Sequence, residues 1–313
     1  MSDIDIVYLW VNGADPVWQS KHQQAAQNEH NLALYGDVAG RYRDNDELRY
    51  NLRALVKFFP EHGHIYIVTD EQTPDWLRLQ DGVTVVSHRD LMSTSSLPVF
   101  DSGHIESYLH QIPDLSERFI YLNDDVFLGT RFEPDFWFSD DGVALFWDDW
   151  VVPEYDEFQP QETALVNASV LSKKWLSARD ANYKHTNKIF AHAPRPMFKS
   201  VVQALAKAEP ELFRAVRQTK FRSWQVPPIV SDFIPRWFLN QGLARILPNQ
   251  SLYISTGAAD AQAQFQTLIE QFGQIAFFCI NDTSDDAVVG SPQLNRISAV
   301  LAQLLPEPSR FER

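Results

Sequence analysis

The residues with the clearest potential for chemistry are Asn123, Asp124 and Asp125, which directly follow the apolar run FIYL at residues 119–122. Such a run predicts a buried strand, so the two adjacent carboxylates would stand at the edge of a sheet. Carboxylates are rarely buried unless they are paired or bind a cation, and their oxygens suit Mg²⁺ or Mn²⁺ shared with a phosphate. A polar turn after a strand is the alternative interpretation.

Arginines surround a second candidate site at the predicted start of a helix. Arg41, Arg43 and Arg49 flank Asp44, which is expected to cap the helix together with Glu47 in a capping box. Free backbone N–H groups and guanidinium forks are a suitable combination for binding a diphosphate. The alternative is a solvated helix with ion pairs along its surface.

The apolar run IDIVYLWV at residues 4–11 predicts a first strand that ends at Asn12 and Gly13. Ligands of α/β proteins bind at the carboxyl ends of such strands, where Trp10 offers a stacking face and Asn12 an amide that can read a base or a sugar. In the alternative interpretation Trp10 belongs to the core and Asn12 only makes the turn.

Two further residues are candidates for proton transfer. Glu106 lies four residues before His110 on a short predicted helix, and both could face a cleft or form a surface pair. His192 lies among prolines and small residues in the stretch AHAPRPM, outside any apolar stripe, although a single histidine is more often structural.

Composition limits the class of protein. The chain has 313 residues with 44% hydrophobic residues and a net charge of −14, which predicts a globular protein and argues against binding to nucleic acid or an anionic membrane. Cys279 is the single cysteine, which excludes an internal disulfide and a Cys-based zinc site. No signal peptide or transmembrane run is recognised, so a cytoplasmic protein, with peripheral association at the inner face of the membrane, is expected.

Alternation of strands and helices with short turns predicts an α/β fold, with a mainly parallel sheet and flanking helices. Strands are predicted at 4–11, 64–69, 83–86, 119–122, 142–147 and 275–282, and helices at 15–34, 44–59, 74–77, 103–112, 199–219, 232–246 and 294–305. Residues 148–161 are predicted to form an acidic loop, and the C-terminal tail is predicted to fray.

Five blocks taken together resemble the Stealth family of hexose-1-phosphate transferases, which includes bacterial capsular and exopolysaccharide phosphotransferases. The blocks are IDIVYLWVNGADP (4–16), RYRDNDELRYNLRAL (41–55) with HIYIVTDEQTPDWL (64–77), LPVFDSGHIESYLHQIPDLSERFIYLNDDVFLG (97–129), AHAPRPM (191–197) with KFRSW (220–224), and FFCIND (277–282). The match around His192 and Arg222 is looser than the others.

The resemblance implies a GT-A-like, Rossmann-like nucleotide-sugar-binding core and a divalent metal, Mg²⁺ or Mn²⁺. Catalytic roles are then expected for Glu106, Asp125, His192 and Arg222. Metal binding is expected from Asp124, Asp125, Asn281 and Asp282, and donor binding from Trp10, Asn12, Gly13, Arg43, Asp44, Arg49 and Asn123. The expected organisation is one catalytic domain over 1–313, with a core at 1–150 and 270–313 and an acceptor-side region at about 151–269.

The resulting hypothesis is transfer of sugar-1-phosphate from a UDP-sugar to a hydroxyl of a glycan or lipid-linked glycan, with release of UMP. Its expected context is capsule or exopolysaccharide synthesis, in association with a polysaccharide assembly complex. A metal-dependent glycosyltransferase that releases UDP is the first alternative, and a non-catalytic sugar- or nucleotide-binding module is the second. No residue pattern identifies the donor sugar or the acceptor.

Overall fold

The computed structural model describes residues 4–27, 29, 32–283, 287 and 290–313. The strands are β1 (Ile4–Leu9), β2 (Ile65–Thr69), β3 (Val83–Ser87), β4 (Arg118–Asn123), β5 (Val126–Leu128), β6 (Phe138–Ser139), β7 (Gly142–Val151), β8 (Lys188–Phe190), β9 (Arg195–Phe198), β10 (Ala244–Leu247), β11 (Ser251–Ser255) and β12 (Phe277–Asn281). The α-helices are α1 (Pro16–Ala26), α2 (Glu47–Phe58), α3 (His88–Leu91), α4 (Ser102–Glu106), α5 (Pro134–Trp137), α6 (Ala164–Arg179), α7 (Lys199–Ala208), α8 (Pro210–Val216), α9 (Ile234–Asn240), α10 (Ala261–Gln271) and α11 (Pro292–Leu304).

A five-stranded sheet with the order β3-β2-β1-β4-β9 forms the centre of the fold. Its first four strands are parallel, and β9 runs antiparallel to β4. The strands β1 and β2 are buried and mainly apolar because helices and loops cover both faces of a parallel sheet; Asp5 is buried in β1 and accepts from His64 N and Ser116 N. The predicted α/β fold with a mainly parallel sheet is confirmed, and the carboxyl ends of β1 to β4 meet at one edge.

Two smaller sheets complete the architecture. In one, β10 and β7 are parallel while β6 and β8 pair antiparallel with β7. In the other, β11 and β12 are parallel and β5 pairs antiparallel with β12. Because β5 follows β4 after only two residues, this last sheet brings Asn281 and Asp282 beside Asp124 and Asp125.

The apolar stripe of α2 explains its position. Leu48, Leu52 and Leu55 are fully buried at helical spacing, and they pack in one hydrophobic cluster with β1, β2 and β4. The same face carries Asn51, a fully buried polar residue that contacts the β4–β5 turn.

The predicted start of this helix is wrong. Helix α2 begins at Glu47, and Asp46 precedes it in a left-handed conformation with φ 67°. Asp44 accepts a hydrogen bond from Asp46 N at 3.0 Å, and Glu47 accepts from the backbone and side chain of Asn45, so the capping box does not form. The Asx turn at Asp44 competes with helix for the same backbone donors, as Asp and Asn commonly do.

Other differences arise where local breaks or tertiary pairing override periodicity. Pro210 divides the helix predicted at 199–219 because it lacks an N–H donor, and the predicted helix at 103–112 ends at Glu106. Residues 74–77 form a turn instead of the predicted helix. Helix α1 ends at Ala26, before the predicted end at residue 34, and residues 28, 30 and 31 of that predicted span lie outside the described residues. Strands β8 to β11 and helix α6 were not predicted, and β7 extends to Val151 into the predicted loop.

The region 151–269 contributes to the same core as the remainder of the chain. Strand β9 pairs with β4, and one hydrophobic cluster includes residues from Ile4 to Phe311. Among the described residues the longest helix is α6, with 16 residues, and none has the length and apolar character needed to cross a membrane.

The C-terminal tail is tied down instead of frayed. Glu312 is 5% exposed and its carboxylate accepts hydrogen bonds from Arg49 at 2.6 Å and from Arg53 at 2.7 and 2.8 Å. Phe311 O accepts from Arg78 N at 2.8 Å, and Phe311 is fully buried. The arginine pair therefore holds the end of the chain against α2.

Asn51→Leu is expected to destabilise the fold by about 3 kcal/mol, since Tyr8 OH and two carbonyl groups at the β4–β5 turn would lose their buried partner. Urea unfolding measures the effect, with the exposed Asn182→Leu as matched control. Equal stability of both variants would contradict the proposed anchoring.

Glu312→Gln is expected to cost about 2 kcal/mol at pH 7. Burial acts to raise the pKa of Glu312, but hydrogen bonds from Arg53 and Arg49 outweigh it and lower the pKa to about 2. A depressed carboxylate pKa stabilises the fold above the unfolded value, so the difference from wild type should shrink as pH falls from about 4.5 towards 2. Unfolding measured across this range, with the exposed Glu307→Gln as control, tests the dependence; a constant difference would refute it.

Candidate active site

A cavity of about 780 Å³ opens at the carboxyl-end edge of the central sheet. Its lining includes residues that follow each of the four parallel strands: Trp10 after β1, Asp70 after β2, His88 after β3, and Asp124 and Asp125 after β4. This is the edge at which open α/β sheets bind ligands.

The buried Glu47 and the half-buried Asp124 and Asp125 belong to one part of the cavity lining. Burial raises the pKa of Glu47 to about 8 and that of Asp125 to about 6. Burial, with added repulsion from Asp125, Glu47 and Asp44, raises the pKa of Asp124 well above its usual range. The raised pKa values mean that nearby positive charge does not offset the effect of burial on these carboxyl groups. A cation bound beside them would supply that charge.

The Asp125 carboxylate has one oxygen free to accept a further contact. Its Oδ1 is buried and has no hydrogen-bond partner among the described residues, while its Oδ2 lies 3.4 Å from Cys279 Sγ. Asp125 and Cys279 meet because β5 and β12 pair antiparallel, with Val126 opposite Cys279.

The donor set fits a hard divalent cation only in part. Asp124, Asp125 and Glu47 supply oxygen ligands, the type that Mg²⁺ and Mn²⁺ prefer. Within the described ranges, however, no three His, Cys, Asp or Glu side chains are grouped as a metal site. Mg²⁺ is usually held by one or two carboxylates together with substrate phosphates, so oxygens from a phosphate would complete this set.

Arginines form the opposing wall. The adjacent Arg222 guanidinium, followed by desolvation, lowers the pKa of Arg41 to about 9. Arg41 Nε donates to Tyr35 O at 2.8 Å, and Arg222 donates to Ser102 Oγ at 3.1 Å. Among the described residues neither arginine forms an ion pair, and both guanidiniums line the cavity. Such an arrangement favours an anion.

Two glycines let the arginine segment approach its neighbours. Gly13 N donates to Tyr42 O at 2.7 Å, and a Cβ at Gly13 would lie 2.4 Å from that oxygen. A Cβ at Gly40 would lie 2.3 Å from Asp282 O. Only glycine therefore allows the backbone at Gly40 to pack between the β1 turn and the segment after β12.

Glu106 lies at the last residue of α4, and it is 6% exposed in the cavity wall. It accepts from Val230 N at 3.3 Å, and its Oε1 lies 3.0 Å from Tyr121 OH, which lies 2.5 Å from Asn123 Oδ1. Burial raises the pKa of Glu106, although the Arg222 charge opposes the rise. One hydroxyl proton cannot serve both oxygens, so a protonated Glu106 would satisfy the network.

His192 follows β8 and faces the cavity, with its ring 5.1 Å from that of Tyr253. Desolvation and the nearby Arg195, Arg222 and Arg41 guanidiniums lower the pKa of His192 to about 4. The imidazole is therefore neutral near pH 7 and can accept a proton.

The remaining candidates divide between the cavity and its surroundings. Trp10, Arg43, Asn123, Asn281 and Asp282 line the cavity together with the catalytic candidates. Asp282, however, forms an ion pair with Arg43, which satisfies both charges within the protein. Asn281 donates to Tyr253 OH at 2.9 Å.

Four predicted donor-binding residues have other contacts. Asn12 Oδ1 accepts from Ala14 N at 2.9 Å in its own turn, and Gly13 serves the close approach to Tyr42. Asp44 makes the Asx turn before α2, where burial raises its pKa to about 6. Arg49 pairs with Glu312 at the C-terminal tail, a contact between distant segments and not the intrahelical ion pair of the alternative interpretation.

Sequence reasoning missed several lining residues. Glu47 was interpreted only as a helix cap, and Arg195 was passed over beside His192. Asp70 and His88 each come directly after a predicted strand, a position that would have identified them. Tyr253 lies on β11, a strand that the sequence does not predict. Cys279 comes close to Asp125 through the sheet formed by β11, β12 and β5.

Comparisons with known proteins agree with the motifs. Residues 2–29 match the family model described as Stealth protein CR1, conserved region 1, and residues 41–146 match Stealth protein CR2, conserved region 2. The solved structure of the galactosyltransferase LgtC with donor and acceptor sugar analogues covers 98% of this chain and 99% of its own, at 10% identity and a TM-score of 0.48. A likeness this distant says nothing about activity.

Sequence relatives are much nearer. An exopolysaccharide phosphotransferase of Streptomyces coelicolor is 34% identical over 320 residues, which cover 99% of this chain but 33% of that protein. A capsular polysaccharide phosphotransferase of Actinobacillus suis is 32% identical over 301 residues, covering 93% of this chain and 80% of the relative. The chain thus spans a third of the first relative and four fifths of the second. With this identity over most of the Actinobacillus protein, and with both conserved regions matched, the chain belongs to the Stealth family.

Proposed function

We propose that the protein transfers sugar-1-phosphate from a UDP-sugar to a hydroxyl of a glycan or lipid-linked glycan, forms a phosphodiester and releases UMP. The observation that carries this proposal is the cavity in which unpaired arginines face carboxylates with raised pKa values. A nucleoside diphosphate bound with a divalent cation would neutralise both walls at once. Relatives named as capsular and exopolysaccharide phosphotransferases support the same reaction class.

Arg41 and Arg222 are proposed to hold the phosphate oxygens in forked contacts, with Arg43 placed by its Asp282 partner at the edge of the same site. Catalysis of phosphoryl transfer depends mainly on positioning and charge neutralisation, and two guanidiniums already held in place supply both. Trp10 lines the end of the cavity near Asp70 and His88, where we place the nucleoside.

Asp125 would hold the divalent cation, assisted by Asp124 and Glu47. The cation, when bound, would neutralise the charge of the diphosphate and of the departing nucleotide. Asp282 is proposed to act through Arg43 and not as a direct ligand, because its carboxylate is already paired. Mg²⁺ or Mn²⁺ fits the oxygen ligands equally well.

His192 is proposed to accept the acceptor proton, since its imidazole is neutral and faces the cavity, whereas Glu106 is buried and engaged with Tyr121 and Val230. A bound diphosphate would offset the three arginines that depress the pKa of His192 and bring it closer to neutral pH. Glu106 would then position Tyr121 and Asn123 at the end of β4.

In this reaction the acceptor oxygen bonds to the β-phosphorus, and the bond from that phosphorus to the bridging oxygen of the diphosphate breaks. The acceptor proton passes to His192, and UMP leaves with the bridging oxygen. The bond between C1 of the sugar and its oxygen is untouched, so the anomeric configuration is retained. A metal-dependent glycosyltransferase would instead break that bond and release UDP.

The nucleotide product separates the two reactions. Incubation with a panel of UDP-sugars, Mg²⁺ or Mn²⁺ and capsular or exopolysaccharide oligosaccharides is expected to yield UMP. Asp125→Asn should reduce the rate by about a hundredfold or more, because one carboxylate charge facing the cation is lost. The exposed Asp75→Asn is the matched control and should retain full activity. UDP without UMP would refute phosphosugar transfer.

Arg222→Met is expected to raise the pKa of His192 from about 4 by about one pH unit, because removing a nearby positive charge stabilises the imidazolium. Titration of the histidine ring by NMR measures the change without substrate. Arg131→Met removes an exposed arginine that pairs with Glu61 and Glu133, and it should leave this pKa unchanged. A fall in the pKa of His192 on loss of Arg222 would contradict the arrangement of charges.

A further inference from the structure

Two exposed aromatic side chains line the mouth of the cavity and have no part in the donor chemistry. Tyr35 is 63% exposed and Trp150 is 52% exposed, and both belong to the cavity lining together with Leu34, which is 44% exposed. Large apolar side chains grouped at a cavity mouth indicate a surface that a ligand covers.

The backbone holds Tyr35 at this mouth in a costly conformation. Its φ is 58°, in the left-handed region that bulky residues rarely adopt. Tyr35 O accepts from Arg41 Nε at 2.8 Å, and Ala33 N donates to Arg222 O at 2.9 Å. The turn that presents the ring is therefore fixed to both arginines proposed to bind phosphate.

Trp150 is presented by the part of β7 that extends beyond the predicted strand. In the pairing of β7 with β8, Trp147 lies opposite Phe190 and Val151 opposite Lys188, while Ala191 N donates to Phe146 O at 3.0 Å. His192 thus lies beside the Phe146 end of the ladder and Trp150 near its other end. The register shifts between Trp147 and Val151, so four residues of β7 lie beside only two residues of β8, Phe190 to Lys188, a length of about 7 Å at about 3.3 Å per residue.

We propose that Tyr35 and Trp150 form the subsite for the acceptor glycan and bind sugar rings beyond the one that reacts. This inference rests on the proposed function. Aromatic rings suit the apolar C–H face of a pyranose, and their polar edges suit its hydroxyls. Asp148 accepts from Trp150 N at 2.9 Å, and Asp148 and Asp149 line a second pocket together with Trp147 and Lys188. These carboxylates and the net charge of −14 disfavour an anionic lipid surface as the occupant.

The test measures glycan binding separately from the reaction. An array of capsular and exopolysaccharide oligosaccharides is probed with wild type, Trp150→Ala and Tyr35→Gly, and hits are titrated in solution. Each variant is expected to weaken binding about tenfold, while Trp150→Phe keeps most of it because a stacking ring remains. Tyr35→Gly relieves the left-handed strain, so a loss of binding without a loss of thermal stability cannot come from misfolding. Leu79→Ala, at a leucine that is 57% exposed outside the cavity lining, is the control.

Kinetics give the second readout. The KM for the glycan should rise about tenfold in Trp150→Ala and Tyr35→Gly without a parallel rise in the KM for the UDP-sugar. Unchanged glycan binding in a variant that combines Trp150→Ala with Tyr35→Gly would overturn the subsite. The absence of any glycan bound by wild type would overturn it as well. Ring-dependent glycan binding in a protein that releases no UMP would refute the proposed reaction and leave the subsite supported.

Discussion

The position of the β4–β5 turn depends on one buried amide. Asn51 is fully buried on the inner face of α2, accepts from Tyr8 OH at 2.9 Å, and donates to the carbonyls of Asp124 at 2.9 Å and Val126 at 2.7 Å. Its hydrogen bonds join β1, α2 and the turn, and a fully satisfied buried network specifies one arrangement of those parts. The two carboxylates therefore project from a turn whose backbone cannot shift without breaking buried hydrogen bonds.

This rigidity permits an unfavourable separation of charge. The Asp124 and Asp125 carboxyl groups would move apart, or towards the arginines, if the turn were free, because buried charges without partners are costly. Arg41 and Arg222 are likewise restrained by Tyr35 O and Ser102 Oγ, neither of which neutralises a guanidinium. A ligand with both signs of charge would relieve both walls at once, which is why the proposed function pairs a cation with a diphosphate.

The sequence predicts the strand ends well and the packing between distant segments poorly. Apolar runs precede Asp124 and Asp125 and also Asn281 and Asp282. Because the carboxyl ends of parallel strands meet at one edge of a sheet, the sequence is enough to place Asp124 and Asp125 near Trp10. Arg49 could not be assigned in this way, because its partner Glu312 is 263 residues away in the chain. Strand β10 is equally hidden, since it forms only through pairing with β7 after Gly242 reverses the chain.

The ion pair between Arg43 and Asp282 resolves which acids remain available to a cation. Were Asp282 a direct ligand, its carboxylate would be divided between the cation and Arg43. Gly40 allows the Asp282 backbone to approach closely, since any side chain there would clash with Asp282 O. In the proposed reaction the cation would therefore lie on the Asp125 side of the cavity and the diphosphate on the Arg222 side. His192, whose pKa is lowered by desolvation and by the Arg195, Arg222 and Arg41 guanidiniums, would then face the diphosphate side of the proposed site.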